Sequence, residues 1–134
     1  MQDTTELVIW VWRHRTPEGI SDKDKKIHEE RYTFLRDLFQ ELNQEVRKWD
    51  GADDLKNPRE LVVIVVAFSS VAAVAKALTS LKAWMDSDKT TEPQYRKRNV
   101  EVELPGGDRP SLRGFPDDQI PIIAQAAMRV TPEQ

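Results

Sequence analysis

The sequence contains no cysteine, and this absence excludes three kinds of chemistry at once. There is no thiol nucleophile, no disulfide framework and no cysteine-based zinc site. Histidine is scarce as well, since only His14 and His28 occur and neither belongs to a His-Glu-x-x-His motif. General acid–base catalysis needs a positioned partner group, and the sequence offers neither histidine such a partner. We therefore predict that the protein has no catalytic residues, no cofactor and no metal site.

A strong charge of one sign and a long apolar run are also missing. The 20 basic and 23 acidic side chains give a net charge of −3. Nucleic-acid binding normally needs a clustered basic face, so no nucleic-acid partner is expected. The first residues carry neither the basic nor the apolar part of a secretory signal, which predicts a cytoplasmic location. Glu60 and Lys76 enclose an apolar stretch shorter than the about 20 residues of a membrane span, so no membrane span is predicted.

The apolar content, 39% of the residues, is enough to fill one hydrophobic core. We predict a single domain over residues 1–134 with a frayed tail at 130–134. The predicted class is α+β, with a small sheet of about three strands packed against three to four helices. The strands are one N-terminal strand at 7–12 and a C-terminal hairpin, 99–104 and 109–114, and a final helix covers 115–129.

The clearest helical pattern covers residues 24–49. Apolar side chains recur there at steps of three and four, as expected for one buried face of a helix. Asp50 and Gly51 supply a stop at its end. We therefore predict one continuous helix, whose apolar positions are Ile27, Phe34, Leu35, Leu38, Phe39, Leu42, Val46 and Trp49.

The most apolar segment, residues 61–78, is compatible with two local structures. Its first half is rich in valine and isoleucine, which is typical of a buried strand. Its entry favours a helix, because Asn57 can cap, Pro58 suits the first helical position and Glu60 completes a capping box. These signals favour a kinked helix over a strand, with the serine pair at 69–70 marking a kink or a new N-cap. After this pair a helix is predicted in either case.

Two roles remain open for this segment. It is either a core element or a partly exposed apolar face, used for self-association or for binding a partner. The four tryptophans fit both roles, because tryptophan is enriched in cores and in interface anchors. For the second role, the candidate interface residues are Phe68, Ser69, Ser70, Leu81, Trp84, Met85 and Trp12.

The order of elements and two local motifs suggest a family. The apolar segment leads to Ala83-Trp84-Met85, and the later hairpin reads Val-Glu-Val-Glu-Leu-Pro-Gly-Gly from Val100 to Gly107. Residues 61–128 thereby resemble the effector-associated constant component family, first type, of bacterial conflict systems. Its members carry an apolar helix with a tryptophan near its end, a Val-x-Val-x-x-Pro-x-Gly hairpin and a final helix. The resemblance implies a non-enzymatic module encoded beside an effector and a signalling or protease component.

The leading functional hypothesis is an adaptor that recruits or regulates such an effector in a defence response. Two alternatives stay open. The first is a small homo-oligomeric enzyme or ligand-binding protein, with a site formed by Arg13, His14 and carboxylates near the end of the first strand. The second is attachment to a membrane surface through residues 61–78.

Overall fold

The computed structural model describes residues 5–12, 22–50, 61–87 and 98–128 and shows an α+β fold. Two single turns of 3₁₀ helix, Leu112–Gly114 and Asp117–Gln119, precede the last helix. The other elements, in chain order, are β1 (Thr5–Trp12), α1 (Asp22–Glu41), β2 (Glu45–Asp50), β3 (Leu61–Phe68), α2 (Val71–Asp86), β4 (Asn99–Val102) and α3 (Ile120–Met128).

The sheet has four strands rather than the three predicted, in the spatial order β2-β3-β1-β4. Each neighbouring pair is antiparallel. The order β1-α1-β2-β3-α2-β4 along the chain, with β3 inserted between β1 and β2 in space, is the split βαβ arrangement. The helix α3 follows this unit and packs against α2.

The core lies on one side of the sheet. Alternate residues of the strands point toward the helices, because side chains of a strand alternate between its two faces. The strand residues in the core are Leu7, Ile9, Val11, Val62, Ile64, Val66, Phe68, Val100 and Val102. The helices contribute Leu35, Leu38, Phe39, Val74, Ala77, Leu78, Leu81, Met85, Ile120, Ile123, Ala124 and Ala127.

The prediction of one helix over residues 24–49 is correct as far as Glu41, where α1 ends, and wrong beyond it. Asn43 adopts the left-handed conformation, with φ of 56°. Its N–H bonds to the carbonyl of Gln40 at 3.0 Å, and the N–H of Gln44 bonds to the carbonyl of Phe39 at 3.0 Å. This pair of bonds is the Schellman motif, which satisfies the last carbonyls of a helix and turns the chain out of it.

The misleading pattern beyond Glu41 comes from a β-bulge in β2. Val46 pairs with Val66 and Trp49 pairs with Ile64, so both point toward the core although they are three positions apart in the chain. The register shifts between Val46 and Lys48, which inserts one extra residue into the strand. A bulge of this kind converts the two-residue period of a strand into a local spacing of three, which imitates a helix.

The helical interpretation of residues 61–68 is also wrong, because they form the strand β3. Valine and isoleucine at both alternating positions suit a strand with apolar surroundings on both faces. The capping signature at residues 57–60 lies outside the described residues. The alternative of a new N-cap in the serine pair is confirmed, since Ser70 accepts a hydrogen bond from the N–H of Ala73 at 3.1 Å.

Replacing Ser70 with alanine is expected to lower the free energy of unfolding by about 1 kcal/mol, because one N–H of the first turn of α2 loses its acceptor. Ser70→Asp keeps an acceptor and should stay close to the wild type. Thermal unfolding followed by circular dichroism measures both variants. Equal losses in both would show that the hydroxyl acts in some way other than capping.

The predicted turn at 105–108 is present, but the second strand of the hairpin is not. Leu104 donates its N–H to the carbonyl of Asp108 at 2.7 Å, and Gly107 has a φ of 94°, which favours glycine. Beyond the turn, a single bridge between Glu101 and Ser111 replaces the predicted strand. Pro110 explains this, since it has no N–H to donate to a ladder.

The predicted final helix is present as α3, which begins at Ile120 after a turn of 3₁₀ helix. The predicted tail at 130–134 lies outside the described residues. Of the helices in residues 22–41, 71–86 and 120–128, none is long and apolar enough to cross a membrane.

Candidate functional site

The side of the sheet that points away from the core is apolar, and we call it the outer face. It consists of six apolar residues of β1 and β3 that alternate with the core positions. All of them are half-buried, and none belongs to the core cluster or packs against it. Within the described residues, the helices all contribute their buried side chains to the opposite side of the sheet. The outer face consists of Val8, Trp10, Trp12, Leu61, Val63 and Val65.

The strand register makes the outer face continuous. Trp10 pairs with Val63 and Trp12 pairs with Leu61, and the same register places Val8 beside Val65. Directly opposed side chains of antiparallel strands lie about 4.5–5.5 Å apart at their Cβ atoms, close enough to touch. The result is an unbroken apolar band along the two central strands.

Trp10 is held against the sheet by a charged pair. The guanidinium carbon of Arg109 lies 4.0 Å from the centroid of the Trp10 ring, in cation–π geometry. Arg109 also donates from Nε to Glu101 Oε1 at 2.8 Å. Glu101 stands directly opposite Trp10 on β4, so the three side chains form one compact unit at the border of the outer face.

A polar row at β4 fixes this unit. Asn99 donates from Nδ2 to Glu101 Oε2 at 3.1 Å. Ser111 donates from Oγ to Asn99 Oδ1, and Ser111 is the residue that bridges to Glu101. The two oxygens of Glu101 are therefore engaged by Arg109 and Asn99, which leaves this carboxylate positioned as a structural acceptor.

The two tryptophans leave polar atoms unpaired on the outer face. The indole Nε1 atoms of Trp10 and Trp12 are buried, and neither has a hydrogen-bond acceptor. A buried donor without an acceptor costs about 1–3 kcal/mol, and such donors are uncommon in folded proteins.

The opposite border of the outer face, along β2, carries charges of both signs. Arg47 Nη1 lies 2.6 Å from Glu6 Oε2, and Arg47 Nε lies 3.6 Å from Glu45 Oε1. The hydrogen bond that Arg47 donates to the Glu6 carboxylate raises the pKa of the Arg47 guanidinium above its ordinary value. Lys48 and Asp50, also on β2, are exposed. The apolar band thus has a charged border on each side.

Three of the seven residues predicted as an interface are core residues. Phe68 and Leu81 are 0% exposed and Met85 is 3% exposed. Phe68 packs edge to face on Phe39, with ring centroids 6.1 Å apart. These side chains stabilise the domain and are closed to a partner while it is folded.

The two serines act locally. Ser70 caps α2, and Ser69 donates both its N–H and its Oγ to Gln44 Oε1, at 2.9 and 3.3 Å. Because Gln44 follows the end of α1, the serine pair joins the start of α2 to the start of β2. Both serines are exposed, but their polar groups are already used within the chain.

Trp84 is half-buried between a second aromatic ring and an arginine. Phe34 of α1 stacks on it with ring centroids 5.7 Å apart and planes 11° from parallel. The guanidinium carbon of Arg98 lies 4.7 Å from the Trp84 ring. Arg98 also donates to the carbonyl of Trp84 at 2.9 Å and to Ser87 Oγ at 2.7 Å, which closes the C-terminal end of α2. An open groove of about 460 Å³ runs beside Phe34, along α1.

Of the seven predicted residues, only Trp12 lies on the outer face. Trp10 was not predicted from the sequence, although the alternation Val8-Trp10-Trp12 in β1 is the signal that places it on the same face as Trp12. For the alternative site near the end of β1, Arg13 and His14 lie outside the described residues. Among the described residues, Arg31 of α1 reaches this end, donating from Nη1 to the carbonyl of Val11 at 3.2 Å.

The described residues bring together an apolar band, two tryptophans and mixed charges at both borders. Within residues 5–12, 22–50, 61–87 and 98–128, no three histidine, aspartate or glutamate side chains are grouped so that they could hold a metal ion. No family model, no curated protein and no solved structure matches this chain. The geometry of the outer face is therefore the main guide to function.

Proposed function

We propose that this chain is a non-enzymatic adaptor, which recruits or regulates an effector protein in a bacterial defence system by contacts at the outer face. The observation that carries the proposal is the apolar band of β1 and β3 with its two tryptophans. Apolar patches of this kind on a folded domain mark interaction sites. The resemblance to the effector-associated family supplies the kind of partner, an effector or signalling component encoded nearby, in the cytoplasm.

The shape of the outer face favours a protein over a small molecule. Small-molecule sites are concave and enclose most of the ligand, whereas a four-stranded sheet offers a broad, open surface. Its pattern also matches a protein interface, with apolar residues at the centre and polar ones around them. Trp10 and Arg109 belong to the residue types that most often dominate binding energy in such interfaces.

Replacing Trp10 or Trp12 with alanine is expected to weaken binding of the effector encoded beside this chain by roughly 30-fold or more, the loss typical of a central aromatic anchor. Isothermal titration calorimetry with the purified product of the neighbouring gene measures this change. Circular dichroism establishes that each variant is folded before its affinity is compared.

The matched control is Ile122→Ala on α3, since Ile122 is 63% exposed and lies on the helical side of the domain. This variant should bind like the wild type. The proposal fails if the tryptophan variants, once shown to be folded, retain full affinity. It also fails if none of the neighbouring gene products binds the wild-type chain.

A further inference from the structure

We infer that, in the free protein, a second copy of this chain covers the outer face, and that this two-fold dimer must open before the effector binds. The inference rests on the proposed function in one respect, because both contacts use the same face. Three properties of the described residues support self-association: the size of the face, its apolar centre and the distribution of charges at its borders.

The size of the face matches a weak dimer. With a rise of ~3.3 Å per residue and a strand spacing of ~4.8 Å, the outer face together with its borders on β2 and β4 covers roughly 400 Å² of sheet. Side-chain relief enlarges this area, so two opposed faces bury about 1,000 Å² in total, near the lower limit for a specific interface. An obligate dimer buries at least about twice as much. The expected dimer is therefore reversible and depends on protein concentration.

The centre of the face suits a copy of itself. In a two-fold dimer the same patch lies on both sides of the interface, so an apolar band meets an identical apolar band. Two sheets pack in this way with their mean planes about 10 Å apart and their side chains interdigitated. The aliphatic residues Val8, Val63 and Val65 are of the kind that fills such a layer.

The borders are compatible with the same arrangement. A two-fold axis parallel to the strands places the β2 border of one copy over the β4 border of the other. The β2 border offers the exposed cation Lys48 and the exposed anion Asp50. The β4 border offers the exposed anion Glu103 and the cation Arg109. Each border thus presents an opposite charge to the other, whereas a border of a single sign would repel its copy.

The dimer has a regulatory consequence. The second copy and the effector need the same six side chains, so they exclude each other. A weak dimer shields the two tryptophans when no effector is present and gives way when the effector binds more tightly. The complex with the effector should contain one copy of this chain.

Sedimentation velocity over concentrations from about 1 to about 500 μM, the range in which small interfaces of this kind associate, tests the dimer. The wild-type mass should rise from 15.5 kDa toward twice that value. Val63→Lys puts a charge at the centre of the outer face and should keep the mass at 15.5 kDa over the whole range. The matched control Ile122→Lys, a similar substitution on α3, should associate like the wild type.

A wild-type mass of 15.5 kDa at every concentration would overturn the inference. So would association that survives in folded Val63→Lys, or that is lost equally in Ile122→Lys. If the wild-type chain stays monomeric but still binds the effector through Trp10 and Trp12, the dimer is contradicted and the adaptor function stands. If Val63→Lys dissociates the dimer but no neighbouring gene product binds the wild-type chain, the dimer stands and the adaptor function is contradicted. An effector complex with two copies of this chain would overturn the mutual exclusion.

Discussion

Replacing Phe68 with alanine is expected to lower the free energy of unfolding by about 3–5 kcal/mol, the usual cost of emptying a buried aromatic site. Phe68 is the last residue of β3, is 0% exposed and packs on Phe39 of α1. Its removal leaves a cavity between the sheet and the first helix. Small domains have only about 5–15 kcal/mol of total stability, so the variant should unfold at a much lower urea concentration.

The control for this prediction is Ile122→Ala, because an exposed position on α3 changes stability by only about 0.5 kcal/mol or less. The sequence predicted that Phe68 contacts a partner, whereas the structure buries it in the core. These two roles lead to opposite results when Phe68 is truncated. A core residue loses stability when truncated. If Phe68→Ala instead kept wild-type stability and lost effector binding, the side chain would be an interface residue and its burial in the core would be contradicted.

The sequence was a good guide where the signals are local. The N-terminal strand, the helix α1, the start of α2 at Ser70 and the turn at 105–108 are all specified by neighbouring residues. Caps, turn glycines and short apolar runs act within a few positions of the chain. These signals were enough to predict the α+β class.

Two strands were missed because tertiary structure overrode local patterns. In β2, the bulge near Arg47 gave a strand the spacing of a helix, and Asn43 was not recognised as the residue that ends α1. In β3, the capping signature before Leu61 suggested a helix, although the valines and isoleucines that follow favour a strand. The pairing of β3 with both β1 and β2 decides the matter, and pairing between distant segments leaves no local signal.

The outer face could be predicted only in part. A strand such as β3 has apolar residues on both faces, so its sequence does not tell which face the helices cover. The unit formed by Trp10, Glu101 and Arg109 joins residues far apart in the chain, and it exists only because β4 pairs with β1. Trp12 was identified from its residue type, whereas the role of Trp10 needed the register of the sheet.

Replacing Arg31 with alanine is expected to lower the free energy of unfolding by about 1.5–3 kcal/mol, the usual worth of a hydrogen bond made by a charged group. Arg31 is 1% exposed and donates to the carbonyl of Val11 at 3.2 Å. It therefore ties α1 to the end of β1, next to Trp12. Truncation leaves that carbonyl without this donor in a buried site and removes a long side chain from the packing. Urea denaturation followed by circular dichroism measures the loss.

Lysine at the same position separates charge from geometry. Arg31→Lys keeps the positive charge but replaces the planar, forked guanidinium with a single ammonium group, so it too should be markedly less stable than the wild type. The matched control is Arg36→Lys on the same helix. The Arg36 side chain is 45% exposed and pairs with its neighbour Asp37, so this change should alter stability by about 0.5 kcal/mol or less. Wild-type stability in Arg31→Lys would show that charge alone suffices there. In that case, the hydrogen bond from Arg31 to the carbonyl of Val11 would not be needed to hold α1 against β1, the strand that carries Trp10 and Trp12.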